Sequence, residues 1–343
     1  RVRKGYVIGL SDKPKIAPEK IKEISEICSG EETTESRLIA LAAWMRENYG
    51  STMIQALRTV LPIQEKIKAK EKKYICLDIS EEAGAQLLKE LEQTRFKART
   101  RLLRELLEKK RLDYTHTAKE LGTTSAVVKK FQEQGIIRIE YDEIMRTSLN
   151  TGDISGERRM PLTDEQEAAV KQIQREWEKP SPKPVLIEGV TGSGKTQVYI
   201  KLIEQTLSQG KEAIVLIPEI ALTYQTVRRF YARFGDKVSV INSRQSQGER
   251  YDQFKRAKKG EVQVMIGPRS ALFTPFASLG LIIIDEEHES SYKSESTPRY
   301  HARETAIRRA VLEHANVVMG SATPSVEAYS KAMNGEYSLV RLT

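Results

Sequence analysis

A glycine-rich segment in the second half of the chain has the spacing of a phosphate-binding loop. It separates an apolar run that predicts a strand from a stretch that predicts a helix, and it consists of Gly189, Val190, Thr191, Gly192, Ser193, Gly194, Lys195 and Thr196. In such loops, backbone N–H groups and the N-terminus of the next helix bind phosphate oxygens. We therefore predict ATP and Mg²⁺ as cofactors, with Lys195 on the β- and γ-phosphates and Thr196 on the metal. The alternative is a glycine-rich turn without a ligand.

Two adjacent acids follow the apolar run at 281–284, where a buried strand is predicted to end. Asp285 is predicted to hold Mg²⁺ through its water shell. Glu286 is predicted to accept a proton from the water that attacks the γ-phosphate, while Mg²⁺ and Lys195 offset the developing charge. Glu286, Lys195 and Asp285 are thus the predicted catalytic residues. An acidic surface turn is the alternative.

A glutamine upstream of the loop is the candidate for base recognition. Gln166 is predicted to contact adenine, because an amide can both donate and accept hydrogen bonds at a base edge. The alternative is a capping role at the start of a helix.

Several loops at strand ends carry groups that suit DNA contact or the coupling of hydrolysis to movement. The residues predicted for these roles are Pro218, Glu219, Arg269, Ser270, His288, Ser321 and Thr323. Backbone N–H groups, hydroxyls and a guanidinium can touch a DNA backbone, which positions a protein without reading sequence. The loop at 320–324 follows an apolar strand, where it could link the γ-phosphate site to a second lobe. The loops at 218–223 and 267–271 are each weak evidence alone, and for the loop at 320–324 the alternative is a loop that merely contains small hydroxyl residues.

Aromatic and basic side chains alternate between the acids and the 320–324 loop. Tyr292, Lys293, Arg299 and Tyr300 are predicted to contact single-stranded DNA or to couple it to hydrolysis. Bases of any sequence stack on aromatic rings with about 1 to 3 kcal/mol each. Ordinary core aromatics with solvated charges are the alternative.

Composition limits the class of protein. The chain has 343 residues, which suffices for two or three domains, and 39% hydrophobic residues without a run long enough to span a bilayer, so no membrane partner is expected. A net charge of +9 favours polyanionic partners such as DNA. Cys28 and Cys76 lack the paired spacing of a disulfide or zinc site, which fits a reducing cytoplasm. The charged start without Met predicts a truncated N-terminus.

The first half of the chain divides into two regions with a polar linker after them. In the first region a strand is predicted at 5–10 and helices at 36–49 and 54–61. The second is predicted to have a lysine-rich linker, one long helix at 81–110, a helix-turn-helix spanning 117–134 and a strand at 136–141. This outline indicates a winged helix, in which Lys129 and Lys130 could meet phosphates. A small helical packing module is the alternative.

The third region alternates apolar strands with helices, which predicts a doubly wound parallel sheet whose ligands bind at the carboxyl ends of the strands. Strands are predicted at 185–187, 213–217, 238–241, 262–266, 281–284 and 317–319, and helices at 197–209 and 223–234.

The amino-acid sequences of these motifs resemble those of the PriA family of bacterial replication-restart helicases, within superfamily 2. The strings that carry the resemblance lie at 189–196, 217–223, 269–276, 285–293 and 298–304. Departures from the family's usual residues occur at Gln197, Asn242 and Pro268, and they put only local contacts in doubt. The resemblance implies an α/β fold class with these domains: a remnant of a small DNA 3′-end-binding domain at 1–65, a winged-helix domain at 66–149, a linker at 150–160, and a RecA-like phosphate-loop lobe at 161–343.

The resemblance also implies a function. It would be an ATP-dependent 3′ to 5′ DNA helicase that acts at stalled forks and assembles the primosome, with forks, single strands and 3′ ends as DNA partners. Single-strand-binding protein and other primosome proteins are the implied protein partners. In this family the segment bearing Tyr292 and Tyr300 couples DNA binding to hydrolysis, and zinc would belong to a C-terminal part that the sequence lacks.

Two other functions stay open at this point. One is a different superfamily 2 motor, such as a duplex translocase, and the other is a nucleic-acid-binding fragment whose nucleotide site only binds. Because motors of this superfamily close ATP between two lobes, we expect these residues alone to unwind nothing.

Overall fold

The computed structural model describes residues 12–13, 17–26, 32–61, 70–94, 96–144 and 161–343. The strand predicted at 5–10, Cys28 and the linker predicted at 150–160 lie outside the described residues. The chain divides into two compact units, one made of residues 1–66 with 148–343 and the other of residues 67–147. Within the described ranges, no helix has the length and apolar character needed to cross a membrane.

A helical pair occupies residues 32–61, after a short 3-10 turn at Pro18–Lys20. Helix α1 spans Glu32–Asn48 and α2 spans Met53–Val60, which confirms the helices predicted here. Helix α2 begins with a capping box. The Thr52 hydroxyl accepts from the backbone N–H of Gln55, and the side-chain Oε1 of Gln55 accepts from the backbone N–H of Thr52.

The smaller unit is built on an antiparallel sheet. Within its described residues, strand β1 (Lys70–Leu77) lies between β2 (Arg111–Asp113) and β3 (Ile137–Ile144). The helices are α3 (Glu81–Glu92), α4 (Lys97–Lys109), α5 (Tyr114–Glu120) and α6 (Ser125–Glu133). Apolar side chains from the sheet and helices form its core, among them Ile75, Leu102, Leu106 and Phe131.

Two predictions for this unit were wrong. The single helix predicted at 81–110 is two helices, because α3 ends at Glu92 and the Thr94 hydroxyl donates to the Leu91 carbonyl oxygen. The lysine-rich stretch predicted to be a linker contains β1, which pairs along its whole length with β3. The lysines obscured the apolar pattern of this strand in the sequence, because Ile75 of β1 enters the core whereas Lys73 is exposed. The helix-turn-helix and the strand after it are present as α5, α6 and β3.

The larger unit is centred on a parallel sheet, as the sequence predicts. In the described part of this unit the seven strands are β4 (Val185–Gly189), β5 (Glu212–Leu216), β6 (Val238–Val240), β7 (Val264–Gly267), β8 (Leu279–Asp285), β9 (Asn316–Ser321) and β10 (Ser338–Leu342). Their order across the sheet is β10-β4-β9-β8-β5-β7-β6. Strand β10, which the sequence pattern did not reveal, pairs with β4 at one edge.

Helices cover both faces of this sheet. They are α7 (Asp164–Trp177), α8 (Lys195–Ser208), α9 (Tyr224–Phe234), α10 (Gln247–Lys258), α11 (Ala302–Glu313) and α12 (Val326–Met333), with 3-10 turns at Gly235–Lys237, Arg269–Phe273 and Ser290–Tyr292. Alternate residues of β8 enter different cores: Ile282 and Ile284 pack with α11, and Leu281 and Ile283 pack with α8. This alternation explains why the central strands read as continuous apolar runs.

Helices α1 and α2 share one hydrophobic core with the lobe. Leu38, Leu41 and Met45 of α1 are fully buried in the same cluster as Ala306 and Ala310 of α11. Helices α1 and α2, which were predicted to belong to a separate end-binding domain, therefore pack directly against the lobe.

An ion-pair network accompanies that apolar contact. Arg37 of α1 contacts Glu313 at 3.0 Å, and the Glu313 side chain is 0% exposed. Arg309, one turn earlier on α11, bonds Glu313 at 3.1 Å and also donates to the backbone carbonyl oxygens of Leu272 and Thr274. Arg309 thus neutralises a buried acid and holds the 3-10 turn at Arg269–Phe273 against α11.

We predict different losses of stability when the two arginines are replaced. Arg309→Met should lower the free energy of unfolding by about 3 kcal/mol or more, because it removes the buried partner of Glu313 and four hydrogen bonds. Arg37→Met should cost about 1 kcal/mol, since Arg37 is partly exposed and Arg309 remains. Urea unfolding followed by circular dichroism measures both. Equal losses would contradict the assignment of Arg309 as the main partner of Glu313.

Candidate active site

The glycine-rich loop lies between β4 and α8, as predicted. Gly192 and Gly194 have φ angles of 91° and 86°, in the left-handed region that favours glycine. A Cβ atom at Gly194 would also come within 2.1 Å of the Gln166 Nε2. The backbone therefore needs glycine at this position both for its conformation and for the close approach of Gln166.

Lys195 is the first residue of α8, and its ammonium group is turned onto the loop. The residue is 8% exposed, and its Nζ donates to the carbonyl oxygens of Gly189 at 2.6 Å and Val190 at 3.3 Å. Ser193 Oγ is buried in the same loop without a hydrogen-bond partner. A buried cation held only by neutral carbonyls, beside an unsatisfied hydroxyl and a helix N-terminus, is a donor set that fits the phosphates of a nucleotide.

Gln166 braces this loop from α7. Its side-chain Oε1 accepts from the Thr163 N–H at 3.2 Å in a capping box, and its Nε2 donates to the Ser193 carbonyl oxygen at 3.2 Å. The capping alternative therefore describes its geometry, and contact with adenine stays a prediction.

Asp285 ends β8 at the same edge of the sheet as the phosphate loop. One carboxylate oxygen, Oδ1, accepts from the Tyr199 hydroxyl at 3.0 Å. Burial and the neighbouring charge of Glu286 raise the pKa of Asp285 to about 6, against the lowering effects of the Tyr199 hydrogen bond and the charge of Lys195. Lys195 thus lies close enough to Asp285 for its charge to act on the carboxylate, and the roles of both residues stay predictions.

Glu286 has a φ of 48°, an uncommon conformation for a residue other than glycine. Its carboxylate lies 3.6 Å from Nδ1 of His288, and the same nitrogen is 2.7 Å from the Ser321 hydroxyl oxygen. Ser321 in turn accepts from the Thr323 N–H at 3.0 Å. His288 therefore connects the predicted catalytic acid to the loop at 320–324.

The predicted aromatic residues are core side chains in this structure. Tyr292 is 1% exposed, and its hydroxyl donates to the backbone carbonyl oxygens of Asp285 at 2.6 Å and Leu216 at 3.0 Å. Tyr300 is 4% exposed and packs edge-on against Phe273 with ring centroids 5.4 Å apart. Neither ring presents a face to a base, so the core-aromatic alternative describes their packing. A coupling role stays a prediction, and for Tyr292 the contact with Asp285 supports it.

Arg269 contacts the segment that bears Tyr292 and Tyr300, called here the aromatic segment, rather than pointing into solvent. Its Nη1 donates to the backbone carbonyl oxygens of Ser291 and Lys293, both at 2.7 Å. A DNA phosphate would have to share or replace these contacts. The remaining residues predicted to contact DNA differ in access: Glu219, Lys293 and Arg299 are exposed, Ser270 is half-buried and Pro218 is buried.

Sequence reasoning did not assign roles to several residues that organise the site. Glu287 is 1% exposed, accepts from Arg303 at 2.9 Å and from the Ser325 N–H at 2.6 Å, and so joins α11 and α12 beneath the acids. Tyr199 contacts Asp285 directly. One signal for Tyr199 was available, because it follows Lys195 by four residues on a helix and so lies on the same face.

The metal would rely on the nucleotide for most of its ligands. In the described ranges, no group of three or more His, Cys, Asp or Glu side chains could hold a metal ion. Mg²⁺ is commonly bound by one or two protein oxygens together with phosphates and water. Thr196 and Asp285 supply such oxygens, so the donor set fits Mg²⁺ brought with ATP.

Comparison with known proteins agrees with this geometry. Residues 163–332 match the model of the DEAD/DEAH box helicase family, and residues 1–62 match that of a 3′DNA-binding domain. The replication restart protein PriA of Bacillus subtilis is 48% identical over 224 residues, which are 65% of this chain and 28% of that protein. PriA of Chlamydia muridarum is 35% identical over 317 residues, 90% of this chain and 41% of that protein. The chain belongs to the PriA family.

A further family member, PriA of Haemophilus influenzae, is 38% identical over 265 residues, 75% of this chain and 35% of that protein. The chain thus spans between about a quarter and two fifths of the length of these curated relatives. What the family assignment establishes here is a helicase lobe together with residues of a 3′DNA-binding domain.

We predict that Asp285→Asn stabilises the nucleotide-free protein. The pKa of Asp285 is raised from 3.8 to about 6 in the fold, so the aspartate penalises folding increasingly from about pH 4 to pH 6, and fully above that. Because the carboxylate is partly exposed, we expect a gain of about 1 to 2 kcal/mol at pH 8 and little gain at pH 4. Thermal melting across this pH range measures it. The exposed Asp236→Asn is the control, and a gain of equal size at both pH values would contradict the assignment.

Proposed function

We propose that this chain carries the first motor lobe of an ATP-dependent 3′ to 5′ DNA helicase that acts at stalled forks to restart replication. The observation that carries the proposal is that Lys195, which follows the loop after β4, and Asp285, at the end of β8, lie at one edge of the parallel sheet, with β9 between the two strands. A phosphate loop and an acid at one sheet edge suit hydrolysis of a triphosphate. We place this activity in the cytoplasm, with the primosome proteins as protein partners.

The residues of this chain would have distinct tasks in hydrolysis. Bound Mg²⁺ would neutralise phosphate charge and polarise the γ-phosphate. Lys195 would exchange the carbonyl oxygens of its loop for phosphate oxygens, and Thr196 with Asp285 would hold the metal. Glu286 would orient the attacking water and take its proton. His288 would then transmit the change at Glu286 to Ser321, and so to the loop at 320–324.

DNA binding is proposed for several separate parts of the chain. In the smaller unit, the helix-turn-helix of α5 and α6 with β3 supports a winged-helix domain, and the exposed Lys129 and Lys130 of α6 suit phosphate contact. The 3′DNA-binding match at 1–62 supports recognition of 3′ ends. In the lobe, the exposed Glu219, Lys293 and Arg299 lie on loops at the carboxyl edge, where single strands are proposed to pass.

We predict that Lys195→Ala abolishes nucleotide-driven activity. Loss of the ammonium should lower ATP turnover by about a hundredfold or more, because one preorganised charge on the transferring phosphate contributes that much. Turnover is measured in the natural protein that carries this sequence, with forked DNA, gapped DNA and uninterrupted duplex. The exposed Lys171→Ala is the matched control. Stimulation by uninterrupted duplex alone would favour a translocase, and binding of ATP without turnover on any DNA would favour a binding-only site.

We predict a steep salt dependence for DNA binding. If about 6 phosphates are neutralised, the logarithm of the binding constant should fall with that of salt with a slope near −5. The slope is measured by fluorescence anisotropy of labelled duplex DNA at salt concentrations from about 50 to 200 mM. Lys129→Gln with Lys130→Gln should reduce its magnitude by about 1 to 2, since each lysine releases about one counterion. An unchanged slope in this variant would remove α6 from the DNA interface.

A further inference from the structure

Tyr199 occupies a central place between the phosphate loop and the metal-binding acid. It lies one helical turn beyond Lys195 in α8 and is 1% exposed. Its hydroxyl donates to Asp285 Oδ1 at 3.0 Å. The first two turns of α8 therefore carry both the lysine for the phosphates and a tyrosine for the acid.

The neighbouring strand β9 is shaped around this hydroxyl. A Cβ atom at Gly320 would lie 1.7 Å from the Tyr199 hydroxyl oxygen and 3.5 Å from Cδ of Lys195. Any side chain at Gly320 would therefore collide with Tyr199, which is too enclosed to move aside. The glycine that opens the 320–324 loop leaves the space in which Tyr199 reaches Asp285.

The hydroxyl group is not needed to fill that space. Phenylalanine has nearly the same volume and would bury no polar atom, whereas a buried hydroxyl must find a partner or destabilise the fold. The hydrogen bond to Asp285 thus depends on the oxygen atom of Tyr199, whereas the bare backbone at Gly320 accommodates both this oxygen and the ring carbon Cζ, from which a Cβ atom would lie 2.9 Å.

Tyrosines hold Asp285 from two sides. Tyr292 donates to its backbone carbonyl oxygen, which fixes the end of β8, and Tyr199 donates to its side chain. The hydrogen bond to Oδ1 restricts rotation of the carboxylate and so orients Oδ2. Restricting a ligand in this way is how surrounding hydrogen bonds tune metal sites.

We propose that Tyr199 is a positioning residue that fixes the carboxylate of Asp285 for Mg²⁺. This inference rests on the proposed function, because it requires that a nucleotide and Mg²⁺ bind at the phosphate loop. Tyr199 touches neither of them. It acts through Asp285, so its contribution should depend on Mg²⁺ and vanish when Asp285 cannot ligate.

The test is nucleotide affinity with and without the metal. A fluorescent ADP analogue is titrated into wild type and Tyr199→Phe, in Mg²⁺ and in EDTA. We expect the gain in affinity that Mg²⁺ confers to fall by about tenfold in Tyr199→Phe, the equivalent of about 1.4 kcal/mol. Affinity in EDTA should change by less than about twofold. Tyr337→Phe is the matched control, because Tyr337 is 6% exposed and its hydroxyl contacts Lys331 instead.

A double-mutant cycle separates positioning from general packing. In an Asp285→Asn background, Tyr199→Phe should change the gain from Mg²⁺ by less than about twofold, because the two residues act as one unit. Replacing Tyr199 with 4-aminophenylalanine, which retains a donor, should restore most of the gain. This variant also carries the test if Tyr199→Phe melts below the assay temperature.

The outcomes are distinguishable. An unchanged gain from Mg²⁺ in Tyr199→Phe, or an equal loss in Mg²⁺ and in EDTA, overturns the positioning role while leaving the proposed function intact. Failure of wild type to bind the nucleotide in either condition overturns the proposed function itself.

Discussion

The parallel pairing of β4, β9 and β8 is the constraint on which the site depends. Asp285 is paired with Gly320, and Glu188 with Ser321, so the phosphate loop, the acids and the 320–324 loop all leave the sheet at one edge. A slip of one residue in the pairing of β8 with β9 would turn the Asp285 side chain to the opposite face of the sheet. The register of β8 therefore sets where Asp285 lies relative to Gly320 and to the groups at this edge.

Much of this arrangement follows from local sequence. The phosphate loop, the acids and the alternation of strands with helices were recognisable because glycine positions, charge and apolar runs are short-range signals. The interruption between α3 and α4 was not, since both helices have strong helical periodicity and the few polar residues between them resemble the solvated face of one continuous helix. Strand β1 was hidden by its lysines, and β10 is an edge strand with little apolar pattern.

Side-chain contacts within the site were harder to foresee than its elements. The aromatic segment reads as a surface for bases, yet Tyr292 and Tyr300 are enclosed and Arg269 is bound to backbone carbonyls. Whether an aromatic ring faces solvent depends on which residues pack against it. Here those residues belong to strands and turns that are distant in the sequence. The same reason hid Tyr199, whose partner lies 86 residues later.

The shared core of α1 and the lobe means that evolutionary modules and folding units do not coincide. The 3′DNA-binding match ends at residue 62 and the helicase match begins at residue 163, yet residues from both matches enclose one apolar interior. A lobe separated at the boundary between the matches would expose the alanine face of α11 and leave Glu313 without Arg37. Because α1 and α11 share this core and the contact between Arg37 and Glu313, a displacement of α1 would be transmitted directly to α11.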